Sequence, residues 1–449
     1  MTSTINKKHD YRELLRIGIP IIIGQLGTII LGFADTLMIG HHSTEELAAA
    51  GLVNNIFGLV FISYMGFSYG LTPIIGKLYG EERTDCIAGK VLNSLCANMV
   101  AGLIFTLALI VLYLNLARIG QPEELLGLIR PYFLVNLFSV LFMGVFNTMK
   151  QFLDGIGQTK VSMWVMIGGN VVNILGNWLL IYGVMGCPEL GLLGAGISTL
   201  ASRVLMAVAL VALVCGRKKF EVYRLHARHS RINKADFLEM NRLGWPVALQ
   251  LGMESAAFSL SCVMAGWLGT IPLAAHQVMI TISQLFYLVL SGMAAAVAIR
   301  VSHFMGQKDY AAVRRNAYDG WRLNILLSFC LGLPVFLLRH EIGGWFNDNV
   351  EVQQYVAVLI IWLMVYQFGD GLQYNFANAL RGIACVKPMV LYAFIAYFVV
   401  SLPLGYTLGF PSGLGILGIW IAFPFGLTIA GVLYWQRFER EMRKMKGNH

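Results

Sequence analysis

The sequence predicts an all-α integral membrane protein with twelve transmembrane helices, and its composition is the first reason. Apolar residues make up 57% of the 449 residues and charged residues only 13%, about half the charged share of a soluble globule. Mean hydropathy is +0.67. The excess apolar surface must therefore face a lipid bilayer. The net charge of +9 does not indicate nucleic-acid binding, because the basic residues concentrate in loops at one membrane face.

The second reason is the length of the apolar runs. Twelve of them can cross the roughly 30 Å hydrocarbon core as helices, and they are too long and continuous for barrel strands. The chain opens with a polar, charged stretch, so we expect no cleavable signal peptide. The predicted spans are residues 17–39, 46–72, 91–115, 128–150, 161–184, 191–214, 243–267, 273–298, 319–339, 352–377, 388–409 and 415–435.

The lysines and arginines then orient the spans. Twenty-nine of the 33 lie on the side of the two termini, three lie on the other side, and Arg203 falls within a span. Cytoplasmic loops carry the excess of basic residues in membrane proteins. We therefore expect a multi-pass protein of the inner (plasma) membrane with both termini in the cytoplasm.

An internal repeat is the third observation. A long polar loop separates six spans from six, and a shift of 226 residues places Pro20 on Pro246 and Gly40 on Gly266, with thirteen identities across residues 16–80, against roughly five expected by chance. Both copies start on the same side, so we expect two parallel six-helix bundles related by a pseudo-two-fold axis along the membrane normal. A V-shaped molecule with a central cleft follows. We expect both prolines in the first turn of their helices, where proline costs no hydrogen bond.

This organisation predicts five regions. They are a cytoplasmic amino-terminal segment (1–16), an amino-terminal six-helix lobe (17–215), a cytoplasmic linker (216–241), a carboxy-terminal six-helix lobe (242–436) and a basic cytoplasmic tail (437–449).

Three acids lie well inside predicted spans: Asp35, Glu254 and Asp370. An acid at mid-membrane costs about 2.5–3.5 kcal/mol on insertion scales and usually faces a cavity or a partner. Arg203 is the one cation that the sequence places within a span; it suits a structural tether better than a substrate ligand, and it cannot neutralise three acids. A carboxylate in a cleft can bind a proton, Na⁺ or an organic cation in competition, which is the elementary basis of antiport.

Neutral polar residues accompany the acids. Asn170, Asn173 and Asn177 share one helix face and either complete a cation site with Asp35 or form an interhelical hydrogen-bond ladder. In the second half, further polar side chains either line a substrate cavity or serve packing. These are Gln284, Tyr287, Tyr366, Gln373 and Asn378.

The sequence offers little for enzymatic chemistry. The seven cysteines have no metal-ligand spacing, and there is no phosphate-binding Gly-x-x-x-x-Gly-Lys-[Ser/Thr] loop. We therefore expect no enzyme activity, no cofactor besides a coupling ion, and no ATP-driven step.

The pattern resembles the multidrug and toxic compound extrusion (MATE) family, in particular its NorM-like branch. The resemblance covers about residues 12–435. It is carried by Asp35 within Gly-Phe-Ala-Asp-Thr-Leu-Met-Ile-Gly, by the Gly-Trp-Pro that precedes Glu254, and by Asp370 ahead of Ala-Leu-Arg-Gly. The family often continues that last stretch with Lys and Asp, where Ile383-Ala384-Cys385 stands here.

The resemblance implies a cation-coupled exporter of amphipathic, often cationic drugs, driven by Na⁺ or H⁺ and working as a monomer in the bilayer. Carried over by position, two coupling sites follow, with Na⁺ binding at Asp35, Glu254 or Asp370. The amino-lobe site comprises Asp35, Asn173 and Asn177, and the carboxy-lobe site comprises Glu254, Tyr366 and Asp370.

Two other functions compete with this one. A flippase for a lipid-linked precursor would need several buried cations to hold a pyrophosphate, and a polytopic enzyme would need paired catalytic groups. The sequence alone does not separate an antiporter from a channel.

Overall fold

The computed structural model describes residues 2–119, 123–227 and 230–447, and over these ranges the chain is almost entirely helical, with no β-strand. The predicted all-α class is confirmed. Arg228, one of the basic residues of the predicted linker, lies outside the described residues. The α-helices are α1 Thr2–His42, α2 Thr44–Ser68, α3 Leu71–Gly80, α4 Thr84–Leu114, α5 Glu123–Gly155, α6 Thr159–Ile181, α7 Gly191–Gly216, α8 Glu221–Ala227, α9 Lys234–Trp267, α10 Thr270–Gly306, α11 Tyr310–Leu337, α12 Arg339–Phe346, α13 Val350–Gly382, α14 Lys387–Phe394, α15 Leu402–Gly409 and α16 Ile416–Gly447.

Twelve helical stretches of the described chain are long and apolar enough to cross a membrane, as predicted. Two are composite: α2 and α3 together form Thr44–Gly80, and α14 and α15 form Lys387–Gly409. A π-helical turn, Ile395–Ser401, joins α14 to α15. Several stretches run past the predicted apolar run, such as Asp10–His42 where residues 17–39 were expected.

The expectation that Pro20 and Pro246 open their helices is wrong. Both lie inside a helix, because α1 begins at Thr2 and α9 at Lys234. The polar stretches before the prolines contain good helix formers such as Leu, Lys, Arg and Glu, so each helix continues past the membrane edge. Each proline therefore removes one backbone hydrogen bond within a long helix.

The chain divides into two compact units, residues 23–248 and residues 1–22 with 249–449, called here the amino-terminal and carboxy-terminal units. Both boundaries fall inside a long helix, and the 226-residue shift carries one onto the other. The first part of α1 therefore belongs with the helices of the second repeat, and the first part of α9 with those of the first. The boundaries of the predicted lobes, 17–215 and 242–436, stay a prediction.

Ion pairs explain why the start of α1 belongs to the carboxy-terminal unit. The carboxylate of Asp10, 4% exposed, pairs with Arg300 at 2.7 Å and with Arg315 at 2.9 Å. The hydroxyl of Tyr11 donates to Asp319 at 3.1 Å. Two arginines against one buried carboxylate fix this segment on α10 and α11.

The backbone repeats within the two units. Gly194 at the start of α7 lies so close to α6 that a β-carbon would meet the Leu180 carbonyl oxygen at 2.5 Å. Gly418, at the start of α16, would meet the Leu408 carbonyl oxygen at the same 2.5 Å. Only glycine permits such an approach, and the two glycines are counterparts at a shift of 224 residues. The internal repeat inferred from sequence is thus also a repeat of backbone packing.

Candidate cation and substrate sites

Glu254 is the centre of polar contacts within the carboxy-terminal unit. It lies on α9 and is 6% exposed. The Tyr374 hydroxyl, on α13, donates to its Oε1 atom, and the Gln250 amide, one helical turn earlier, donates to its Oε2 atom at 3.3 Å. Tyr397, in the π-helical turn, is a further hydrogen-bonding neighbour of this carboxylate. Three elements thus place donors around one acid.

Arg381 extends this network towards the end of α13. Its guanidinium donates to the Gln250 side-chain oxygen at 2.6 Å, and the residue is only 5% exposed. From the sequence, Arg381 was expected among the loop cations and Arg203 as the one cation within a span. The structure corrects this expectation, because Arg381 is buried within α13. Arg381 lies in the last turn of α13, where helix packing encloses it, and it interacts electrostatically with Glu254.

Asp370 is the second acid of this unit. It is 2% exposed and lies one turn before Tyr374 on α13, close enough to Glu254 for the two carboxylates to interact. No ion pair among the residues that the structure describes involves Asp35, Glu254 or Asp370. Two buried carboxylates without a salt-bridge partner favour the binding of a proton or a small cation.

Tyr366 continues the same face of α13, one turn before Asp370. Its ring packs against Trp420 and Phe423 of α16, with centroids 6.4 and 6.2 Å away. The residues at positions 366, 370 and 374 therefore stand at steps of four along one helix, where side chains are neighbours. This spacing could have pointed to Tyr374, which the sequence analysis missed.

The candidates for the substrate cavity have different surroundings. Gln373 donates to the Tyr397 hydroxyl at 2.5 Å, and its own oxygen is buried without a hydrogen bond to any described residue. Tyr287 packs its ring edge-on against Tyr374, 5.2 Å between centroids. Gln373 therefore contacts Tyr397, and Tyr287 contacts Tyr374, and each of these two tyrosines is a neighbour of Glu254.

The other two candidates are less directly connected. Asn378 donates to the Tyr374 carbonyl at 2.9 Å and accepts a 3.4 Å hydrogen bond from Arg381, so it acts within α13. Gln284 is exposed on α10. The structure therefore brings Tyr287 and Gln373 to the acids and leaves Gln284 at the surface of its unit.

The amino-terminal unit holds a separate site around Asp35. The Asn177 amide nitrogen donates to the Asp35 carboxylate at 2.5 Å and to the Asn173 oxygen at 3.1 Å. Both asparagines are fully buried. The Asn177 oxygen is buried and has no hydrogen bond to a described residue, although buried polar atoms are normally paired. A free acceptor oxygen beside a carboxylate fits a small cation or a protonated partner.

Helix α7 supplies hydroxyl groups that the sequence analysis missed. Asn173 donates to Thr199 at 3.2 Å and to Ser202 at 3.3 Å, and Ser198 donates to the Asn173 backbone carbonyl at 2.8 Å. Asparagine and hydroxyl residues on neighbouring helices thus form an interhelical ladder that ends at Asp35. The two alternatives for the asparagines are compatible, since one ladder can also orient a cation site.

Arg203, also on α7, lies near this site. Its guanidinium donates to Ser139 at 2.5 Å and stands 4.3 Å from the centroid of the Phe61 ring. It interacts electrostatically with Asp35 and Tyr132 but makes no ion pair within the described chain. This placement agrees with a structural tether that stabilises negative charge at Asp35 from a distance.

Comparison with known proteins finds one family model along both halves of the chain. A family model described as MatE matches residues 20–179 and again 246–407, and the two matches begin 226 residues apart. The multidrug resistance protein NorM of Photobacterium profundum is 27% identical over 437 residues, covering 95% of each chain. The probable multidrug resistance protein NorM of Agrobacterium fabrum is 28% identical over 446 residues, covering 96% of this chain and 95% of its own.

Solved structures share the fold. A MOP superfamily transporter from Pyrococcus furiosus superposes with a TM-score of 0.88 at 19% identity, over 97% of each chain. A multidrug resistance MATE family transporter in an outward-facing conformation gives a TM-score of 0.88 at 19% identity, over 98% of this chain and 97% of its own. At this identity the likeness concerns the fold.

Proposed function

Because the chain belongs to the MatE family, whose NorM relatives are named for multidrug resistance, we propose that it is a secondary active efflux antiporter. In this proposal it exports amphipathic organic cations in exchange for Na⁺ or H⁺ by alternating access of its two lobes. The observation that carries the proposal is the pair Glu254 and Asp370, two buried carboxylates of one unit that share no salt bridge with the described residues.

The exchange rests on competition for negative charge. A cationic drug and a coupling ion cannot both be neutralised by the same carboxylates, so binding of one favours release of the other. The hydrogen bonds from Tyr374 and Gln250 orient the Glu254 carboxylate for this exchange. Asp35, with Asn173 and Asn177, supplies a second coupling site in the amino-terminal unit. Carboxylate, amide and hydroxyl oxygens are ligands that suit Na⁺, and the same carboxylates accept protons.

The distribution of the basic residues supports the proposed location. With both termini cytoplasmic in the inner (plasma) membrane, export runs from the cytoplasm outwards, and the transporter works as a monomer. The flippase alternative gains nothing from the structure. In the described chain, Arg381 is buried and hydrogen-bonded to Gln250, and Arg203 is half-buried and hydrogen-bonded to Ser139. They belong to different units, and they do not form the cluster of several cations that a pyrophosphate would need.

Transport by purified protein tests the proposal. Inside-out proteoliposomes would be loaded by uptake of a fluorescent organic cation, driven in turn by a Na⁺ gradient and by a pH gradient. Uptake with one gradient and none without either is expected, and the effective gradient identifies the coupling ion. Uptake that ignores both gradients, or that needs ATP, would contradict the antiport mechanism.

A further inference from the structure

A large basic cavity opens in the carboxy-terminal unit, at the end that the positive-inside rule places in the cytoplasm. Its volume is about 970 Å³, and its walls are the turn before α11, the first turns of α11 and the last turns of α16. Six basic and three acidic residues line it, so its walls carry a net positive charge. The basic residues are Lys308, Arg314, Arg315, Arg322, Arg443 and Lys446.

The acids of the wall already have partners. Glu439 accepts hydrogen bonds from Arg314 at 3.0 Å and from Tyr318 at 2.9 Å. Asp319 pairs with Arg322 at 3.2 Å. The third acid, Asp309, caps the first turn of α11 by accepting from a backbone amide at 2.9 Å. Glu439 and Asp319 are therefore paired with Arg314 and Arg322, whereas Asp309 makes no ion pair with a described residue.

Three cations of the wall lack an ion-pair partner. The side chains of Lys308, Arg443 and Lys446 make no hydrogen bond or ion pair with any residue that the structure describes. Arg443 and Lys446 stand three positions apart on one face of α16, and both line the cavity together with Lys308. Like charges that face one cavity repel each other unless an anion enters.

Trp435 indicates where the cavity lies relative to the membrane boundary. Its indole N–H donates to the hydroxyl of Tyr318 at 2.8 Å, and Tyr318 lines the cavity. Tryptophan is enriched at the boundary between hydrocarbon and headgroups. From Trp435 to Lys446, α16 rises by about 16 Å, and a cavity in this stretch suits the headgroup layer.

We propose that this cavity binds the phosphate of an anionic phospholipid of the cytoplasmic leaflet. The three cations Lys308, Arg443 and Lys446 favour the binding of a phosphate group. Basic pockets beside membrane helices on the cytoplasmic side suit anionic headgroups. Both a lipid and a free phosphate carry that group. The position beside Trp435 favours the lipid, because a headgroup at that depth needs no transfer from solution. The site is independent of the transport proposal.

Lipid binding to the purified full-length protein tests the proposal. Native mass spectrometry would count phosphatidylglycerol, phosphatidylcholine and inorganic phosphate bound to wild type, and to the triple variant Lys308→Gln/Arg443→Gln/Lys446→Gln. The control is Arg217→Gln/Lys218→Gln/Lys234→Gln, which removes the same charge from exposed residues elsewhere on that face. We expect phosphatidylglycerol to bind wild type and control alike, and the cavity variant about 10- to 100-fold more weakly.

Three outcomes would overturn the proposal. Equal loss of phosphatidylglycerol in both triple variants would indicate attraction by net charge alone. Equal binding of phosphatidylcholine would remove the role of the cations. Inorganic phosphate binding as well as the lipid would identify a free anion as the ligand. If the triple variant is not recovered folded, the single changes Arg443→Gln and Lys446→Gln provide the same comparison, since both side chains are exposed.

Discussion

Tyr374 donates its phenolic hydrogen bond to the carboxylate of Glu254. The two residues are 120 positions apart and lie on α13 and α9, so one bond ties two helices of the carboxy-terminal unit. A carboxylate accepts this bond most strongly when it is charged. A change in the charge of Glu254 therefore changes how firmly α9 is held to α13. In the proposed antiport cycle, this is the direct route from coupling-ion binding to helix packing.

Removing the acid is expected to abolish export, and removing the phenol to weaken it. Glu254→Gln should insert normally but give no drug resistance, whereas Tyr374→Phe loses one hydrogen bond to a charged group, worth about 1.5–3 kcal/mol. The double variant should be no worse than Glu254→Gln alone, because the bond is already altered. Efflux of a fluorescent cation from pump-deleted cells measures all three.

Tyr406→Phe and Glu351→Gln are the matched controls, since both side chains are exposed. Wild-type efflux by Glu254→Gln would remove this acid from the mechanism. Wild-type efflux by Tyr374→Phe would mean that its hydrogen bond to Glu254 plays no part in transport.

Asp370→Asn is expected to leave the protein in the membrane and abolish export. The amide keeps the size of the side chain but can neither bind a proton nor neutralise a cation, and Asp370 is 2% exposed. Blotting of membrane fractions measures the amount of protein in the membrane, and drug-resistance assays measure export. Asp348→Asn, an exposed counterpart, should behave as wild type. Full resistance in Asp370→Asn would leave Glu254 as the only acid needed in this unit.

Asp35→Asn should also cripple transport, through the amino-terminal unit. In wild type, Asn177 donates to the carboxylate at 2.5 Å. An amide at position 35 can still accept that hydrogen bond, so the fold should persist while the charge is lost. Initial efflux rate and melting temperature in detergent distinguish the two effects. If only the melting temperature or the expression level fell, Asp35 would be a structural residue.

The sequence predicted the spans and the acids because both depend on composition along one chain. It did not predict which side chains meet across helices, since contacts such as Gln250 with Arg381 or Asn173 with Thr199 depend on the rotation of each helix about its axis. Tyr397 is the clearest case. It lies in a π-helical turn, whose wider winding changes which side chains share a helix face. No sequence pattern in residues 395–401 predicts that turn.

Arg381 was misjudged for a related reason. A basic residue next to Gly382 looked like a loop cation, and it does lie at the end of α13. Packing encloses it all the same, and Gln250 and Asn378 accept hydrogen bonds from its guanidinium inside the unit. Burial of a charge depends on such partners, and these are 131 and 3 residues away in the sequence.

The ion pair between Lys150 and Asp154 leads to a prediction about protein stability. Their side chains pair at 2.6 Å and are 14% and 4% exposed. Lys150→Met leaves a buried carboxylate without its cation and should destabilise the protein by about 3–5 kcal/mol. Lys150→Met/Asp154→Asn removes both charges and should recover most of the loss. Scanning fluorimetry in detergent measures the melting temperatures, and a Lys150→Met variant as stable as wild type would show that water solvates the pair.

The last prediction compares one turn in its two copies. Gly157 has φ of +74°, and Ala384, its counterpart 227 residues later, has φ of +58°. Both backbone nitrogens close the same turn, onto Asp154 and Arg381 respectively. A left-handed conformation costs a residue with a β-carbon about 1–2 kcal/mol, and glycine avoids most of that cost. Ala384→Gly should therefore raise the melting temperature.

Gly157→Ala should lower it, so the two variants are expected to move in opposite directions from wild type. Ala384 is exposed, and its methyl group therefore contributes little packing that the glycine would lose. Glycine also gains freedom in the unfolded chain, which offsets about 0.4–1 kcal/mol of the benefit. The expected net gain for Ala384→Gly is about 1 kcal/mol or less, and a fall in its melting temperature would mean that the entropy term outweighs the relief of backbone strain.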